Sequence, residues 1–573
     1  LKQITMSNAK IYLKPNVVFE PLVDGWYAWS HLVSPATCAM NIVGRHMVIM
    51  DSYLLAPQIH AEAVMNPKMR GGPFLDLGGG RVEDVRSLME TTAKSRANLI
   101  RFAEAVKSLD KLLSLEAKGF TLETLYQKVP DILKGYVELF YDRNNNATFR
   151  FIESLLYKSE YYDKDAQSVA FWLTNNDHRP FCLSTPRLGE PDVLRLNIPF
   201  DHPGIDELAK MKRIPQAIEY ISDKLGISGS QMPLFEKLFT DVPPKTYKRY
   251  TGDKIRMRYF GHACILVETK DISILLDPLI SYYGYYSDLE HFSDVDLPDE
   301  IDYVLITHNH QDHILFETLL PLRHKIKNLI VPRTCGGKLE DPNLELMFNN
   351  IGFRNVISID EMETIEFSDA VITGLPFAGE HCDLNILTKS CYLVRIGEFS
   401  LLFMADSKIV EPALYRHIHS QIGDVDVIFL GMECDGAPMT WLYGPLLTKK
   451  VPRDQDGTRR LSGSDCAQGM SVVDIFNPKE VYVYAMGQEP WVEFISSIKY
   501  TDESNPIVQS DKLTRMCNER GIISERLYGE KELLYEKSDG ILQEGNFDKT
   551  GIPTSATTSE SIRSEFPTQF NAI

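Results

Sequence analysis

Six consecutive residues, His308-Asn309-His310-Gln311-Asp312-His313, constrain this chain more than any other stretch. They carry three imidazoles and a carboxylate in H-x-H-x-D-H spacing, directly after the apolar run Tyr303–Thr307, which reads as a buried strand. Residues i and i+2 of a strand share a face, so the strand end is expected to aim His308 and His310 at one cation. A turn into a helix over Ile314–Leu322 then frees Asp312 and His313 to face a second cation. The pattern predicts two adjacent metals at the edge of a sheet.

The chain is long enough for that sheet to be one part of a larger molecule. Its 573 residues allow two or more domains, and 44% apolar with 24% charged residues is ordinary for a globular protein. A net charge of −19 disfavours nucleic acid and anionic membrane as partners. No apolar run reaches the length of a membrane-crossing helix, and Leu1-Lys2-Gln3-Ile4 lacks a signal-peptide layout. Nine scattered cysteines without C-x-x-C spacing are expected to be reduced thiols in a cytoplasmic protein.

Texture divides the chain at Asp241-Val242-Pro243-Pro244-Lys245. Residues 1–245 read as a mixed α+β, helix-rich domain without an evident active-site cluster. Strands are expected at Asn16–Glu20 and His46–Met50, and helices over 82–117, Thr121–Tyr141 and Phe149–Tyr157, with Gly119 as a helix stop. The glycines at 71–72 and 78–80 lack any phosphate-loop spacing and read as turns. Residues 246–540 interleave strands and helices in an α/β pattern. Strands are expected at Lys254–Phe260, Ala263–Glu268, Ser273–Asp277, Phe399–Ala405, Val425–Leu430 and Glu480–Ala485. Residues 541–573, rich in Ser, Thr and Gly, read as a weakly ordered tail.

Four ligands from one loop leave a two-metal site incomplete. Asp406 ends an apolar run, where a carboxylate could bridge two cations. Glu380-His381 offers another donor; either side chain could ligate, and adjacent residues rarely both do. Taken in order, Gly261-His262-Ala263-Cys264, Ile274-Leu275-Leu276-Asp277-Pro278, the H-x-H-x-D-H loop and Asp406 resemble the motifs of metallo-β-lactamase-fold proteins. The resemblance spans roughly residues 250–530 and implies an αβ/βα sandwich with metals at one edge. A dizinc hydrolase of that fold uses a further histidine after a late strand, but the last histidine here is His419. With Glu380 in third place the set is His308, His310, Asp312, His313, Glu380 and Asp406, three imidazoles and three carboxylates. Oxygen-rich ligation suits iron and O₂ chemistry better than zinc hydrolysis.

That departure resembles the diiron β-hydroxylase family of nonribosomal peptide biosynthesis, of the chloramphenicol-pathway type, including its Gly379-Glu380-His381 element. The resemblance implies two iron ions, O₂ as co-substrate, an external electron donor, and an amino acid held as a thioester on the phosphopantetheine arm of a carrier domain. It further implies His308, His310 and Glu380 on one iron, Asp312 and His313 on the other, and Asp406 shared. The N-terminal domain would support a homodimer and cover the site. Glu380 is expected to shift when substrate arrives, and Glu433 to meet the substrate amine or lie just outside the ligands. Asp277 is expected to orient a ligand histidine or cap a turn, and His381 to sit behind the ligands. His262 reads as structural, and Met432–Gly436 with Pro438–Tyr443 as cavity lining. Lys449-Lys450-Val451-Pro452-Arg453 with Arg459-Arg460, the densest basic segment, is a candidate carrier-docking loop. The competing reading is a zinc-dependent hydrolase of a lactone, thioester or phosphodiester, with His381 in place of Glu380.

Overall fold

The apolar runs after residue 250 form strands buried on both faces, which need a layer on each side. A computed structural model describes residues 10–536, apart from 176, 177, 246, 285–288, 335 and 368. The expected tail, 541–573, lies outside the described residues. One seven-stranded sheet runs Val356–Ile359, Ile326–Pro332, Ile301–Leu305, Ser273–Leu276, Ile265–Glu268, Ile255–Tyr259 and Lys531–Tyr535. The other runs Thr364–Phe367, Ala370–Leu375, Cys391–Ile396, Phe399–Phe403, Val427–Gly431, Glu480–Tyr484 and Ile523–Arg526. In each sheet one half pairs antiparallel and the other parallel. Between the sheets, Met257, Ile274 and Leu305 meet Tyr392, Phe403 and Phe429 in one core.

Helices cover the outer faces. Pro412–Ile422, Cys466–Phe476 and Asn505–Glu519 pack Tyr415, Val473 and Leu513 against Leu402, Ile428 and Val483 of the second sheet. Asp465 starts the middle helix with a capping box closed by Gln468. On the first sheet, Phe260, Leu275, Val304 and Leu329 share a core with Phe19, Trp29, Met40, Phe171 and Phe200 from the N-terminal region. The sequence boundary near 241–245 is therefore not a boundary of packing. A buried ion cluster sits on the same seam. Arg179 donates to both carboxylate oxygens of Glu317 (2.8 and 3.1 Å), lies 3.5 Å from Glu20 and stacks 3.5 Å over Phe494. The hydroxyls of Tyr27 (3.1 Å) and Tyr282 (2.6 Å) also donate to Glu317.

The N-terminal region departs from its pattern in three places. His46–Met50 is helical: Ile42–His46 is a π-helical turn continuing into the helix Met47–Leu55. The helical path starts at Pro35, well placed in a first turn, and five apolar residues alone do not separate strand from helix. Over Thr121–Tyr141 there are 3-10 turns at Glu123–Lys128 and Asp131–Leu133, then the strand Val137–Tyr141. Pro130 and the left-handed Gly135 (φ +80°) prevent a continuous helix. Phe149–Tyr157 opens in the paired strand Ala147–Phe151, and only Glu153–Leu156 is helical. The strand Val17–Val23 and the helices Val82–Ser95 and Ala97–Glu116 lie where expected.

Candidate metal centre

The strand Ile301–Leu305 stops short of the histidine loop, so His308 and His310 sit in the loop itself rather than on a strand face. A hydrogen-bond frame sets their ring orientations. Asp277, at the end of the strand Ser273–Leu276, accepts from the Thr307 backbone N–H (2.8 Å) and the Thr307 hydroxyl (2.6 Å). With its proton given to Asp277, Thr307 Oγ1 accepts from His308 Nδ1 (3.0 Å), which leaves His308 Nε2 bare. Asp277 Oδ2 also accepts from His313 Nδ1 (2.8 Å), directing His313 Nε2 toward Asp406 Oδ2 at 3.1 Å. His310 Nε2 meets the Tyr443 hydroxyl at 2.9 Å, and its Nδ1 faces His308 Nε2 at 3.0 Å and Glu380 Oε1 at 3.3 Å. One aspartate, one threonine and one tyrosine thus turn one nitrogen of each of three imidazoles inward.

The carboxylates arrive from other strand ends. Asp406 follows the strand Phe399–Phe403 through Ala405, whose φ is +44°; Asp406 Oδ2 lies 3.8 Å from His308 Nε2 and Oδ1 has no hydrogen-bond partner. Glu380 and His381 pair with Ser462 and Leu461 in a two-residue ladder. Glu380 holds φ +63°, and Gly379, Cys382 and Asp383 are left-handed too, a concentration of backbone strain typical of ligand clamps. Its Oε2 has no hydrogen-bond partner among the described residues, although His381 Nδ1 lies 2.7 Å away. The His381 ring stacks on His310 (4.6 Å, 25°), and neither of its nitrogens makes a hydrogen bond. Both Glu380 and His381 therefore converge on the cluster. Asp312 faces His262 Nε2 at 3.4 Å.

Charge is finely opposed here. Burial pushes the Glu380 carboxyl up to about 7, with His310 and Lys389 restraining the rise and Asp406 and Asp312 adding to it. Burial also pushes Asp312 upward, but His262, His313 and His310 more than cancel this and hold it low. Burial works against charging His313, yet Asp406 and Asp277 on either side keep its proton well above the usual range. Burial and the neighbouring imidazoles of His313 and His310 keep His308 neutral.

The donors fit a pair of cations. His308, His310, Glu380 and His381 form one cluster of ligand atoms, His308, His313 and Asp406 a second, and His262, Asp312 and His313 a third, each within 4.8 Å. Orphaned oxygens on Glu380 and Asp406 beside this imidazole cluster are costly without a cation and natural with one.

Other expected residues fall around this core. Asp277 orients His313 as well as closing a turn. The backbone N–H of Gly487 donates to His262 Nδ1 (3.2 Å), which leaves Nε2 to carry its proton toward Asp312. His262, read as structural, thus touches the site. Glu433 is half-buried; its carbonyl accepts from the Gly463 N–H (2.8 Å) but its carboxyl has no hydrogen-bond partner among the described residues, and burial, then Asp406, Asp312 and Glu380, push that carboxyl well up. Tyr443 reaches His310 from the helix Met439–Tyr443, inside the stretch expected to line the cavity. Of the basic segment, Lys449, Lys450 and Arg453 are exposed, whereas Arg459 donates to the Cys382 carbonyl (2.9 Å) and Arg460 lies 3.4 Å from Asp435.

Sequence reasoning missed Thr307, absorbed into its strand, and the N-terminal contribution. His31 stacks on Trp29 (4.4 Å) and its ring lies 6.2 Å from that of Tyr443. Gly44 approaches Pro445 so closely that a Cβ would lie 2.9 Å from Pro445 Cα. No motif announces these contacts, which exist only once the two regions pack.

Known proteins match this arrangement along nearly its whole length. Residues 12–243 match the family described as diiron non-heme beta-hydroxylase N-terminal domain, and residues 273–441 match the beta-lactamase superfamily domain. The chain is 39% identical over 523 residues to the 4-amino-L-phenylalanyl-(CmlP peptidyl-carrier-protein) 3-hydroxylase of Streptomyces venezuelae, covering 90% of this chain and 98% of that one. The crystal structure of CmlA, a diiron beta-hydroxylase from Streptomyces venezuelae, aligns with a TM-score of 0.86 at 38% identity, over 92% of this chain and 100% of that chain. A UPF0173 protein of Pyrococcus abyssi is 32% identical over 127 residues, 22% of this chain and 50% of that one.

Proposed function

The chain belongs to the diiron non-heme β-hydroxylase family, and from that membership we propose that it hydroxylates the β-carbon of an amino acid held as a thioester on a nonribosomal peptide synthetase carrier domain. It is an enzyme of the O₂-dependent diiron class, and this origin disfavours the zinc hydrolase reading. The observation that carries the assignment of ligands is the convergence of His308 Nε2, His310 Nδ1 and Glu380 Oε1 beside the His313–Asp406 pair. We assign His308, His310 and Glu380 to one iron, Asp312 and His313 to the other, and Asp406 to both. The iron pair, when bound, supplies the electrons that turn O₂ into an oxidant strong enough for an unactivated C–H bond, and an external donor restores them.

The protein's own work is orientation and exclusion. Thr307, Asp277 and Tyr443 hold the imidazole protons away from the metals. Glu380, on strained backbone with one oxygen free of hydrogen bonds, is the carboxylate able to move when substrate enters. Glu433, half-buried beside the cluster with a carboxyl free of hydrogen bonds among the described residues, accepts the substrate ammonium. Phe377 against His308, and Trp29 and His31 from the N-terminal region, keep the surroundings apolar and poor in water.

Lys449, Lys450 and Arg453, exposed and unpaired among the described residues, form the docking loop for an acidic carrier domain. Reversing their charge should weaken carrier binding at unchanged iron content; unchanged binding rejects the loop. The exposed Val48, Leu55, Ile59 and Met65 on the helices Met47–Leu55 and Pro57–Met65 give a homodimer an apolar face. No helix among the described residues is long and apolar enough to cross a membrane, and free buried cysteines suit a reducing cytoplasm. The decisive experiment is mass spectrometry of an aminoacyl-loaded carrier domain after incubation with the reduced protein and O₂. Gain of one oxygen atom on the tethered residue supports the proposal; release of the free amino acid without oxygen gain means hydrolysis.

A further inference from the structure

A second polar cavity lies away from the metals, where the N-terminal region meets the sandwich. The turn after the helix Pro203–Lys210 brings Lys212 and Arg213 to one side of it. Ser281 comes from the loop after the strand Ser273–Leu276, and His324 and Lys325 from the turn after the helix Phe316–Leu322. Two carboxylates also line it: Asp294, and Glu317, whose oxygens are held by Arg179 and Tyr282.

Two buried groups in this wall are left short of partners. Lys325 is 8% exposed, and among the described residues its ammonium makes a single long hydrogen bond, 3.4 Å, to the Pro298 carbonyl. An ammonium has three donors, and one buried without a counter-charge is costly. Burial, reinforced by Arg213 and Lys212, pulls Lys325 down to about 8 against the opposite pull of Asp294 and Asp299. Ser281 is 2% exposed and its hydroxyl has no hydrogen bond among the described residues. Across the cavity Arg213 is anchored on the carbonyls of Val295 (2.8 Å) and Leu297 (3.2 Å). Ammonium, hydroxyl and guanidinium around one partly open cavity make a receptor for an oxyanion.

Asp294 narrows the choice. Lys212 takes one of its oxygens at 2.6 Å, and the other, Oδ1, is buried without a partner among the described residues. A carboxylate oxygen repels sulfate, which at neutral pH has no proton to offer, but it accepts from the P–OH of hydrogen phosphate. A phosphodiester, such as the link of a carrier's prosthetic arm, lacks that proton as well. We propose that this cavity binds inorganic hydrogen phosphate, held by Lys325, Ser281 and Arg213 and selected over sulfate and phosphodiesters by Asp294. The site joins residues from both regions, and it does not depend on the hydroxylase reading.

The test is thermal unfolding of the iron-loaded protein in phosphate-free buffer at fixed ionic strength, titrated separately with phosphate, sulfate and a dialkyl phosphodiester. A ligand that binds only the folded state raises the midpoint in a saturable way. Phosphate should raise the wild-type midpoint by several degrees, and the other two anions should leave it in place. Lys325→Met should abolish the phosphate response while unfolding no lower than wild type in its absence, because a poorly compensated buried charge is gone. Ser281→Ala, which removes one hydroxyl and leaves the charges alone, should weaken phosphate at least about threefold. Equal responses to phosphate and sulfate, a phosphate shift that survives Lys325→Met, or unaltered affinity in Ser281→Ala would each overturn the assignment.

Discussion

The two regions share a core yet bury polar groups in opposite ways. In the sandwich, imidazoles and carboxylates converge with lone pairs facing one another and oxygens left without partners. In the N-terminal region, two buried imidazoles lie flat on indoles: His46 on Trp26 (4.0 Å, 3°) and His31 on Trp29 (4.4 Å, 13°). The first arrangement is completed by cations, whereas the second stays neutral, its rings held by stacking although His31 Nδ1 and Trp26 Nε1 lack hydrogen bonds among the described residues. A histidine's burial therefore says little about its role; what its nitrogens face decides it. The sharpest way to break the contrast is Asp406→Asn. If Asp406 joins the two metals, the variant should lose most of its iron and more than about 100-fold of its hydroxylation, beyond the roughly 10–100-fold that losing an outer hydrogen bond costs. Iron per protein and product yield measure this, and near-normal iron would reduce Asp406 to a bystander.

The next effect lies on the seam that makes the two regions one body. Arg179→Met strips the buried Glu317 of its guanidinium partner, while Glu20 keeps Arg187 at 2.8 Å. Removing one partner of a buried ion pair costs about 3–5 kcal/mol, read as a lower denaturant midpoint. A variant that unfolds in two separate steps would show that the regions are independent after all, as the linker at 241–245 suggests from sequence.

The sandwich was legible because its signals are local. The strands at Ile255–Tyr259, Phe399–Phe403, Val427–Gly431 and Glu480–Tyr484 are short apolar runs bounded by turns, close to where the pattern puts them. The histidine loop and Asp406 announce their chemistry by residue type and spacing. The N-terminal region has no such cues. Met47–Leu55 is apolar with little helical sidedness, so His46–Met50 imitates a strand. Thr121–Tyr141 has helix-like composition, but Pro130 and Gly135 cut it into turns. Contacts that depend on both regions, such as Tyr443 on His310 beside His31, or Arg179 on Glu317, arise from packing across more than 100 residues of chain and leave no periodic trace.

Asp277 sharpens the comparison from the outer side of the ligands. Asp277→Ala frees the Thr307 hydroxyl and the His313 ring, so neither His308 nor His313 is held in its metal-binding orientation. Outer partners of this kind are worth about 10–100-fold in metal affinity. A chelator competition series should show that loss with the fold intact. An affinity within twofold of wild type would mean that backbone geometry alone sets the rings.

The smallest effect tests the N-terminal half by pH. Burial pulls His31 down to about 3 from an ordinary 6.5, with His310 and Arg45 adding to the fall, and burial with Arg45 pulls His46 well below 6.5. The unfolded chain therefore takes up these protons before the folded one. The stability they confer is complete above about pH 6.5 and drains away as pH falls, toward about 3 for His31, at about 1.4 kcal/mol per pH unit for each group. His46→Phe keeps a ring on Trp26 and removes one titrating group. Between pH 6 and 4 its unfolding free energy should fall less steeply than that of wild type, by about 1.4 kcal/mol per pH unit. Parallel slopes would mean that His46 takes up a proton without unfolding, and that its stack on Trp26 opens to water.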